Sequence, residues 1–461
     1  MNRAKTLPLL AAVLAVALPL APRPAAANGA FSHVHMTQLA IARLPPGELR
    51  DFFTDPELVA AAEAGSMFPD SGYAAGDPYG EIAHWEPFLH SYVEDLQARY
   101  AGDYSSRDAK LRIAFLLGFA AHGFEDPTYD STLLARAFES GDTEIPDLPF
   151  DQLADYFLTF DHDVSFTVED PYAPFADLPA IIEAGPDAHV VNETVLRDAM
   201  ATMSMLTRVQ NNRRITRSWY AQGWESYPFL GTHYYNEDAV GSVPWLATLI
   251  VRYWEVLWER VHARDVPTRD LVIRTIPEDG GTNWNVDLSD GRAWGRIAIF
   301  FGYAVDRDAI APLLSLRSAA GADVPFTLET AYGGRDRHQL FLVPGETLAF
   351  DTAYTVTLAA GATTLFGRTT DAPIAFSFRT RCAPENLAAC PPLTPPLVAG
   401  PPPVLDAGAP RADAGTPAVD AGRTTTTKDG GCSAAPGTPR GAGLAGLALV
   451  VGALVVRRRR R

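Results

Sequence analysis

The hydrophobic period of this chain changes once, between Arg264 and Asp270, and that change limits what the chain can build. From His33 to about Arg264 apolar residues recur at helical spacing. They run in long segments such as RDAKLRIAFLLGFAAHGFED and VPWLATLIVRYWEVLWERVHARD, separated by turns containing Gly and Pro. From about Asp270 to Thr380 the period becomes two, in FTLETAY, HQLFLV, TAYTVTLAA and IAFSFRT. One period belongs to helices that share a core and the other to strands that share a sheet. The expectation is a multidomain protein: an all-α helical bundle followed by an all-β sandwich.

Length and composition allow this. The 461 residues are 47% hydrophobic, enough for two or three cores. A net charge of −17 removes the basic footprint that nucleic-acid binders show, so no nucleic-acid partner is expected. An acidic substrate would need local help, such as a metal ion. Arg3 and Lys5, an apolar run from Leu7 to Leu20 and the small residues Ala25, Ala26 and Ala27 read as a secretory signal over residues 1–27. The mature chain then begins at Asn28. Cys382 and Cys390 are close enough in sequence to form a small disulfide in an exported chain, and Cys432 is left over.

The expected divisions are a helical domain over 28–268, a sandwich over 269–381, a linker over 382–430 and a tail over 431–461. The sandwich has the size of an immunoglobulin-like module. Its segments PEDGGTNWNVD, RIAIFFGYAVD and LAFDTAYTVTL resemble the bacterial Ig-like domains of extracellular proteins. No chemistry concentrates there, and His338 reads as a surface or strand residue. The near-repeat DAGAPRADAGTPAVDAG has linker composition that cannot build a core. After GGC comes an apolar segment from Gly441 to Val456 and then Arg457 through Arg461. It falls short of the about 20 residues that span a bilayer comfortably, yet the basic stop fits a transmembrane helix with its arginines inside. The tail resembles the myxobacterial C-terminal sorting signal. That resemblance implies delivery to the cell surface or outer membrane, with processing or lipidation at Cys432. An ordinary tail anchor would leave the same location.

The chemistry lies in LLGFAAHGFEDPTYD. Asp108 could cap this helix and Pro127 would end it, leaving Asp130 in the loop beyond. The helix is apolar almost all round, so it should be central. His122 and Asp126, at i and i+4, present an imidazole and a carboxylate to one point. Burying such a pair without partners would cost several kcal/mol. Candidate partners are His33 and His35 in NGAFSHVHM, Asp70 in GSMFPDSGY and His84 in IAHWEPFLH. Nitrogen and carboxylate ligands without cysteine suit zinc at a hydrolytic centre.

Taken together, GAFSHVHM, AGSMFPDSGY, HWEPFL and KLRIAFLLGFAAHGFED resemble the zinc-dependent phospholipase C family, over about residues 28 to 165. The nearest likeness is to the phospholipase-C-like domain of glycosylphosphatidylinositol-specific phospholipase D. Single-strand nucleases of the same all-helical fold are more distant relatives. The resemblance implies up to three zinc ions, held by His33, Asp70, His84, His122 and Asp126, with the mature N-terminal residue Asn28 as a further ligand. Asp70 would also serve catalysis by orienting or deprotonating water. Where the family has a histidine four residues after the helical aspartate, this chain has Asp130. Where a later histidine and acid are expected, DQLAD offers Asp151 and Asp155, with His162 and Asp163 in FDHDVSF as rivals. Carboxylates at these positions admit calcium, magnesium or manganese.

The implied activity is metal-dependent hydrolysis of a phosphodiester in a phospholipid or glycosylphosphatidylinositol-like glycolipid. The alternatives are a non-catalytic surface binding or adhesion protein with a structural metal, and a single-strand nuclease, which the acidic composition disfavours. There is no GxSxG elbow and no phosphate-binding Gly-rich loop. His35, His90, His189, His233 and His262 read as structural or solvated, and the aromatic stretch WYAQGWESYPFLGTHYY reads as packing.

Overall fold

The computed structural model describes residues 29–143, 150–284, 296–383 and 385–386. The expected signal segment, Asn28, Cys390, the expected linker from residue 387 onward and the expected tail lie outside the described residues. The chain divides into one compact unit, Met1–Val404, and a second, Leu405–Arg461, that falls wholly outside them. Among the described residues no helix is long and apolar enough to cross a membrane. Cys382 is disulfide-bonded.

The first part is helical. Its main elements are α1 (Ala30–Arg43), α2 (Pro56–Ala75), α3 (Glu86–Tyr100), α4 (Arg107–Tyr129), α5 (Phe150–Asp161), α6 (Glu193–Gln210), α7 (Arg213–Ser226) and α8 (Val243–Val261). From Leu111 to Tyr129 every residue of α4 but Gly123 is buried, the signature of a helix surrounded by others. The cap of α4 differs from the expected one. Ser106 accepts from the Ala109 backbone N–H, and Asp108 sits in the first turn, bonded to Arg112.

Pro127 does not end α4. The helix runs through it to Tyr129 and widens into a π-turn, Asp130–Leu134, before one more α-helical turn. Asp130 is therefore a helical residue and not a loop residue. Such π-turns absorb an irregularity without breaking the helix and are frequent at functional sites.

Helices α2 and α4 form the most extensive pair in the bundle. Gly118 makes this possible, because a Cβ there would stand 2.0 Å from the Ala62 carbonyl oxygen. With both backbones this close, the C-terminal halves of α2 and α4 bring Asp70 and Ser66 alongside His122. Trp254 of α8 closes the far side of the core, donating its indole N–H to the Leu117 carbonyl at 2.8 Å.

The second part is a sandwich of two four-stranded sheets. Strands β1 (Val272–Ile276), β3 (Ile297–Phe301), β6 (Gln339–Pro344) and β5 (Phe326–Glu329) form one sheet, in the order 1-3-6-5. Strands β2 (Gly281–Trp284), β8 (Ile374–Thr380), β7 (Ala353–Leu358) and β4 (Leu314–Ser318) form the other, in the order 2-8-7-4. In the first sheet neighbours are antiparallel, with Ile299 opposite Leu340 and Leu328 opposite Leu342. In the second, β2 joins β8 in parallel.

Strand β3 is buried at all five positions. Ile297, Ile299 and Phe301 face the opposite sheet, while Ala298 and Phe300 belong to the helical core. Phe300 packs against Trp245 of α8 and Phe124 of α4, at ring-centroid distances of 5.8 and 6.4 Å. One face of the sandwich is thus part of the bundle's core. His338 departs from the surface reading. It is buried, donates from Nε2 to Glu86 Oε2 over 2.9 Å, and donates from Nδ1 to the Phe301 carbonyl. Arg260 completes this link, with Nη1 on Glu86 Oε1 at 2.6 Å.

Candidate metal centre

Five of the expected residues converge between α1, α2 and α4. His122 and Asp126 point the same way from α4, Asp70 comes from the end of α2 and His84 follows the short helix Tyr79–Ala83. Gly123 sets this last approach, since a Cβ there would lie 2.5 Å from the His84 carbonyl oxygen. One ligand atom from each of Asp70, His84, His122 and Asp126 lies within 4.8 Å of all the others.

The hydrogen bonds of the two histidines fix their tautomers. His84 Nδ1 stands 2.6 Å from the Gly80 carbonyl and His122 Nδ1 stands 2.7 Å from the Ser66 carbonyl. A carbonyl can only accept, so both Nδ1 atoms carry the proton, and the neutral rings present lone pairs at Nε2. Those two Nε2 atoms face each other at 2.9 Å. Asp126 Oδ2 lies 3.4 and 3.2 Å from them, and Asp70 Oδ1 lies 3.8 and 3.7 Å away. Electron pairs pointed at one spot in a buried pocket repel unless a cation or a proton sits among them. The donor set fits a metal ion. Carbonyl bonds at the far ring nitrogens are the usual support for histidine ligands.

His33 extends the cluster. Its Nε2 is 3.0 Å from Asp126 Oδ1, its ring stacks on His122 at 3.7 Å, and its Nδ1 bonds to Glu125. Glu125 was not among the expected residues. The visible signal was a second acid beside Asp126 inside a helix apolar on every side. Glu125 Oε1 is buried without a hydrogen-bond partner.

The charges are strongly coupled. Burial lowers the His33 pKa, but the Asp126 and Glu125 carboxylates outweigh it and leave the value well above normal. At His84 burial is likewise outweighed, by Asp126 and Asp70, and the value is raised. His122 goes the other way, lowered by burial and by the charge on His33. Burial would raise Asp126, yet His122 and His33 hold it well below the carboxylate range, while burial lifts Glu125 to about 7.

The remaining expected ligands are outside the four-residue group and those described make other bonds. Asp130 bonds to the Tyr332 hydroxyl of the sandwich, and its Oδ1 is buried without a hydrogen-bond partner. Asp155 is taken up at the N-terminus of α1. It accepts from the Phe31 N–H at 3.1 Å, the Ser32 N–H at 2.9 Å, the Ser32 hydroxyl and Gln210 Nε2 at 2.8 Å. Two orphan amides at a helix start hold a carboxylate well, so Asp155 acts as a cap supplied by another helix. Asp151 lies on α5, with its side chain outside the described residues. The rivals are no closer to the cluster. His162 stacks on Tyr235 at 4.2 Å, and Asp163 is exposed and paired with Arg213. His35 bonds to the Tyr235 hydroxyl at 3.1 Å, and His90 lies against Arg260 and Phe366.

Residues 267–380 match the bacterial Ig-like domain family. That span is the sandwich, and it shows that the β part is an Ig-like domain. The chain is also 26% identical over 215 residues to the phosphatidylinositol-glycan-specific phospholipase D of Dictyostelium discoideum. The match takes in 44% of this chain and 22% of that protein, so this chain spans only a small part of its curated relative's length. Among solved structures, surface layer protein SbsC, domains 1-6, aligns with 13% identity over 82% of this chain and 38% of its own, at a TM-score of 0.19. The S-layer protein rSbsC(31-844) aligns at 9% identity over 71% and 45%, with the same TM-score. Likeness that slight carries no argument about this fold. The Ig-like domain, read above as free of chemistry, places Tyr332, Arg335 and His338 against the helices that carry the cluster.

Proposed function

We propose that this protein is a metal-dependent phosphodiester hydrolase of the phospholipase C type, acting on phospholipid or glycosylphosphatidylinositol-like substrates at the cell surface. The observation that carries the reading is the convergence of two histidine lone pairs and two carboxylates on one buried point. Zinc is the ion that best suits these nitrogen and oxygen donors, held by Asp70, His84, His122 and Asp126, with His33 at its edge. When bound it would supply a Lewis acid for phosphoryl oxygens and a more acidic water.

The chain's own groups have separate tasks. Asp70 is the most open of the four, its side chain 17% exposed against 7% or less for the rest, so it faces arriving substrate. It is placed to accept a proton from water. Asp126 shares its two oxygens between His33 and the facing pair of histidines, and the backbone carbonyls of Ser66 and Gly80 keep those rings in register. The likeness to a phospholipase D supports a lipid phosphodiester as the substrate class. The signal segment, Ig-like domain and basic-ended tail support surface delivery.

A second reading, a surface binding protein with a structural metal, draws on Asp130 and Asp155, both engaged by protein groups. The deciding experiment uses the purified mature chain. Metal content is measured, and hydrolysis of bis(p-nitrophenyl) phosphate and of phosphatidylcholine vesicles is followed with and without chelator. Chelator-sensitive release of product supports the hydrolase. Bound metal with neither substrate cleaved sinks it in favour of the binding protein.

A further inference from the structure

The Ig-like domain does more than pack on the bundle. Its turn Ala331–Gly334 and the following Arg335 reach the helical domain at the edge of the metal cluster. The Tyr332 hydroxyl donates to Asp130 Oδ2, and its ring meets the Trp85 ring edge-on at 5.3 Å. Arg335 Nη1 donates to Glu81 Oε1. Glu81 also accepts from Trp85 Nε1 at 2.9 Å and from the Tyr73 hydroxyl at 2.7 Å. Tyr73 in turn lies 5.1 Å from the His84 ring. A third tie runs from Ser131, in the same π-turn as Asp130, to Gln339 of β6 at 3.3 Å.

The backbone of this turn is unusual. Tyr332 has φ 49° and ψ 40°, followed by Gly333 at φ 61° and Gly334 at φ 92°. A bulky residue rarely adopts the left-handed conformation, and one that does is held there by its surroundings. Its contacts with Asp130 and Trp85 are part of what holds Tyr332 there.

Asp130 gives the contact its meaning. It sits one helical turn beyond Asp126, and burial pushes its pKa well above normal, with the Tyr332 bond opposing, the Asp126 charge adding to the rise and the His33 charge opposing it. One carboxylate oxygen is fixed by Tyr332, and the other is buried with no hydrogen-bond partner. Such an orphan acceptor is costly until a cation or a proton satisfies it.

We propose that the Ig-like domain forms the outer wall of the metal centre and that Tyr332 is a positioning residue, holding the Asp130 carboxylate with its free oxygen turned to the cluster. The centre is therefore shared between two domains, and the helical domain alone lacks one side of it. This rests on the cluster binding a metal ion, and its catalytic arm rests on the hydrolase reading above.

The test compares the full chain with Tyr332→Phe, Asp130→Asn and the double variant. The readouts are zinc affinity against a competing chelator, and kcat and KM on bis(p-nitrophenyl) phosphate. Tyr332→Phe keeps the ring on Trp85 and removes only the hydroxyl. It should melt near the wild type, bind zinc about 10- to 100-fold more weakly and lower kcat with little change in KM. Asp130→Asn should do the same, and the double variant should be no worse than either single one, because both act through one carboxylate. Should Tyr332→Phe fail to fold, Tyr332→Asn, which tolerates the left-handed backbone, takes its place. Wild-type zinc affinity in both single variants overturns the proposal. Faster turnover in Tyr332→Phe also overturns it, since that marks an obstructing cover. If the wild type binds zinc and cleaves nothing, the hydrolase reading fails alone and the affinity comparison still decides this one. A wild type that binds no zinc removes both.

Discussion

Removing the metal should destabilise the chain by an amount that can be bounded from the site. Without an ion, the Nε2 atoms of His84 and His122 would stand opposed at 2.9 Å, with two carboxylates beside them and only Asp70 appreciably open to water. An ion that binds the folded state alone contributes about 4 kcal/mol when present at roughly 1,000 times its dissociation constant. For a domain of this size each kcal/mol moves the melting temperature by about 2–4 °C, so complete chelation should lower it by about 8–16 °C. His122→Ala tests the same site from the protein side. It removes a fully buried ring stacked on His33 together with its bond to the Ser66 carbonyl, which should cost about 1–3 kcal/mol beyond the lost ion. That variant should melt identically with and without chelator. The assay is calorimetry on wild type and variant, with metal content measured on the same samples. A chelated wild type that is verifiably metal-free yet melts within about 2 °C of the untreated protein would refute the argument that the donors converge on a cation.

Other outcomes follow from the same geometry. Phe300→Ala removes a ring shared by the Ig-like domain and the bundle and should cost about 3–5 kcal/mol in urea unfolding, with both domains loosening together. Gly118→Ala puts a methyl 2.0 Å from the Ala62 carbonyl, so α2 and α4 must part; a loss of about 1–3 kcal/mol accompanied by weaker zinc binding is expected. Asp155→Ala should lower stability by about 0.5–2 kcal/mol through the lost cap while leaving zinc affinity in a titration unchanged; loss of the metal would restore Asp155 as a ligand. His338 gives a pH signature. Burial lowers its pKa, but the bond and charge of Glu86 raise it above the usual 6.5. Its contribution is therefore complete below about pH 6.5 and fades as the pH rises through the higher folded value, so the wild type should lose stability over that range relative to His338→Gln.

Much of the fold was legible because it is written locally. The change of period at the domain boundary depends only on neighbouring residues, and the apolar circumference of α4 announces a helix with no exposed side. Strand β3 carried a signal that was easy to pass over. Its uninterrupted IAIFF is the pattern of a strand covered on both faces, unlike the alternation of β7, and the second cover proved to be the helical bundle. Pro127 misleads because a proline forbids one hydrogen bond but not a helix that widens into a π-turn just beyond it. In the metal centre, histidines and acids in short motifs could be picked out, since few other uses explain them in apolar surroundings. Asp155 could not be sorted by spacing. A carboxylate on an amphipathic helix serves equally as a ligand or as a cap, and the choice was made by where the start of α1 lies. Tyr332 had no local mark beyond two following glycines, because its role depends on a helix more than 200 positions earlier.

The two-sided burial of β3 also determines what a shortened version of this chain would be. Cutting after Val266 would strip Phe300 from Trp245 and Phe124 and Ala298 from the helical core, baring apolar surface on α8 and α4. The seam visible in the sequence is a boundary between architectures and not between independently folding pieces. A fragment made along it would aggregate before it could be assayed, and inactivity in such a fragment would report on exposed grease rather than on chemistry.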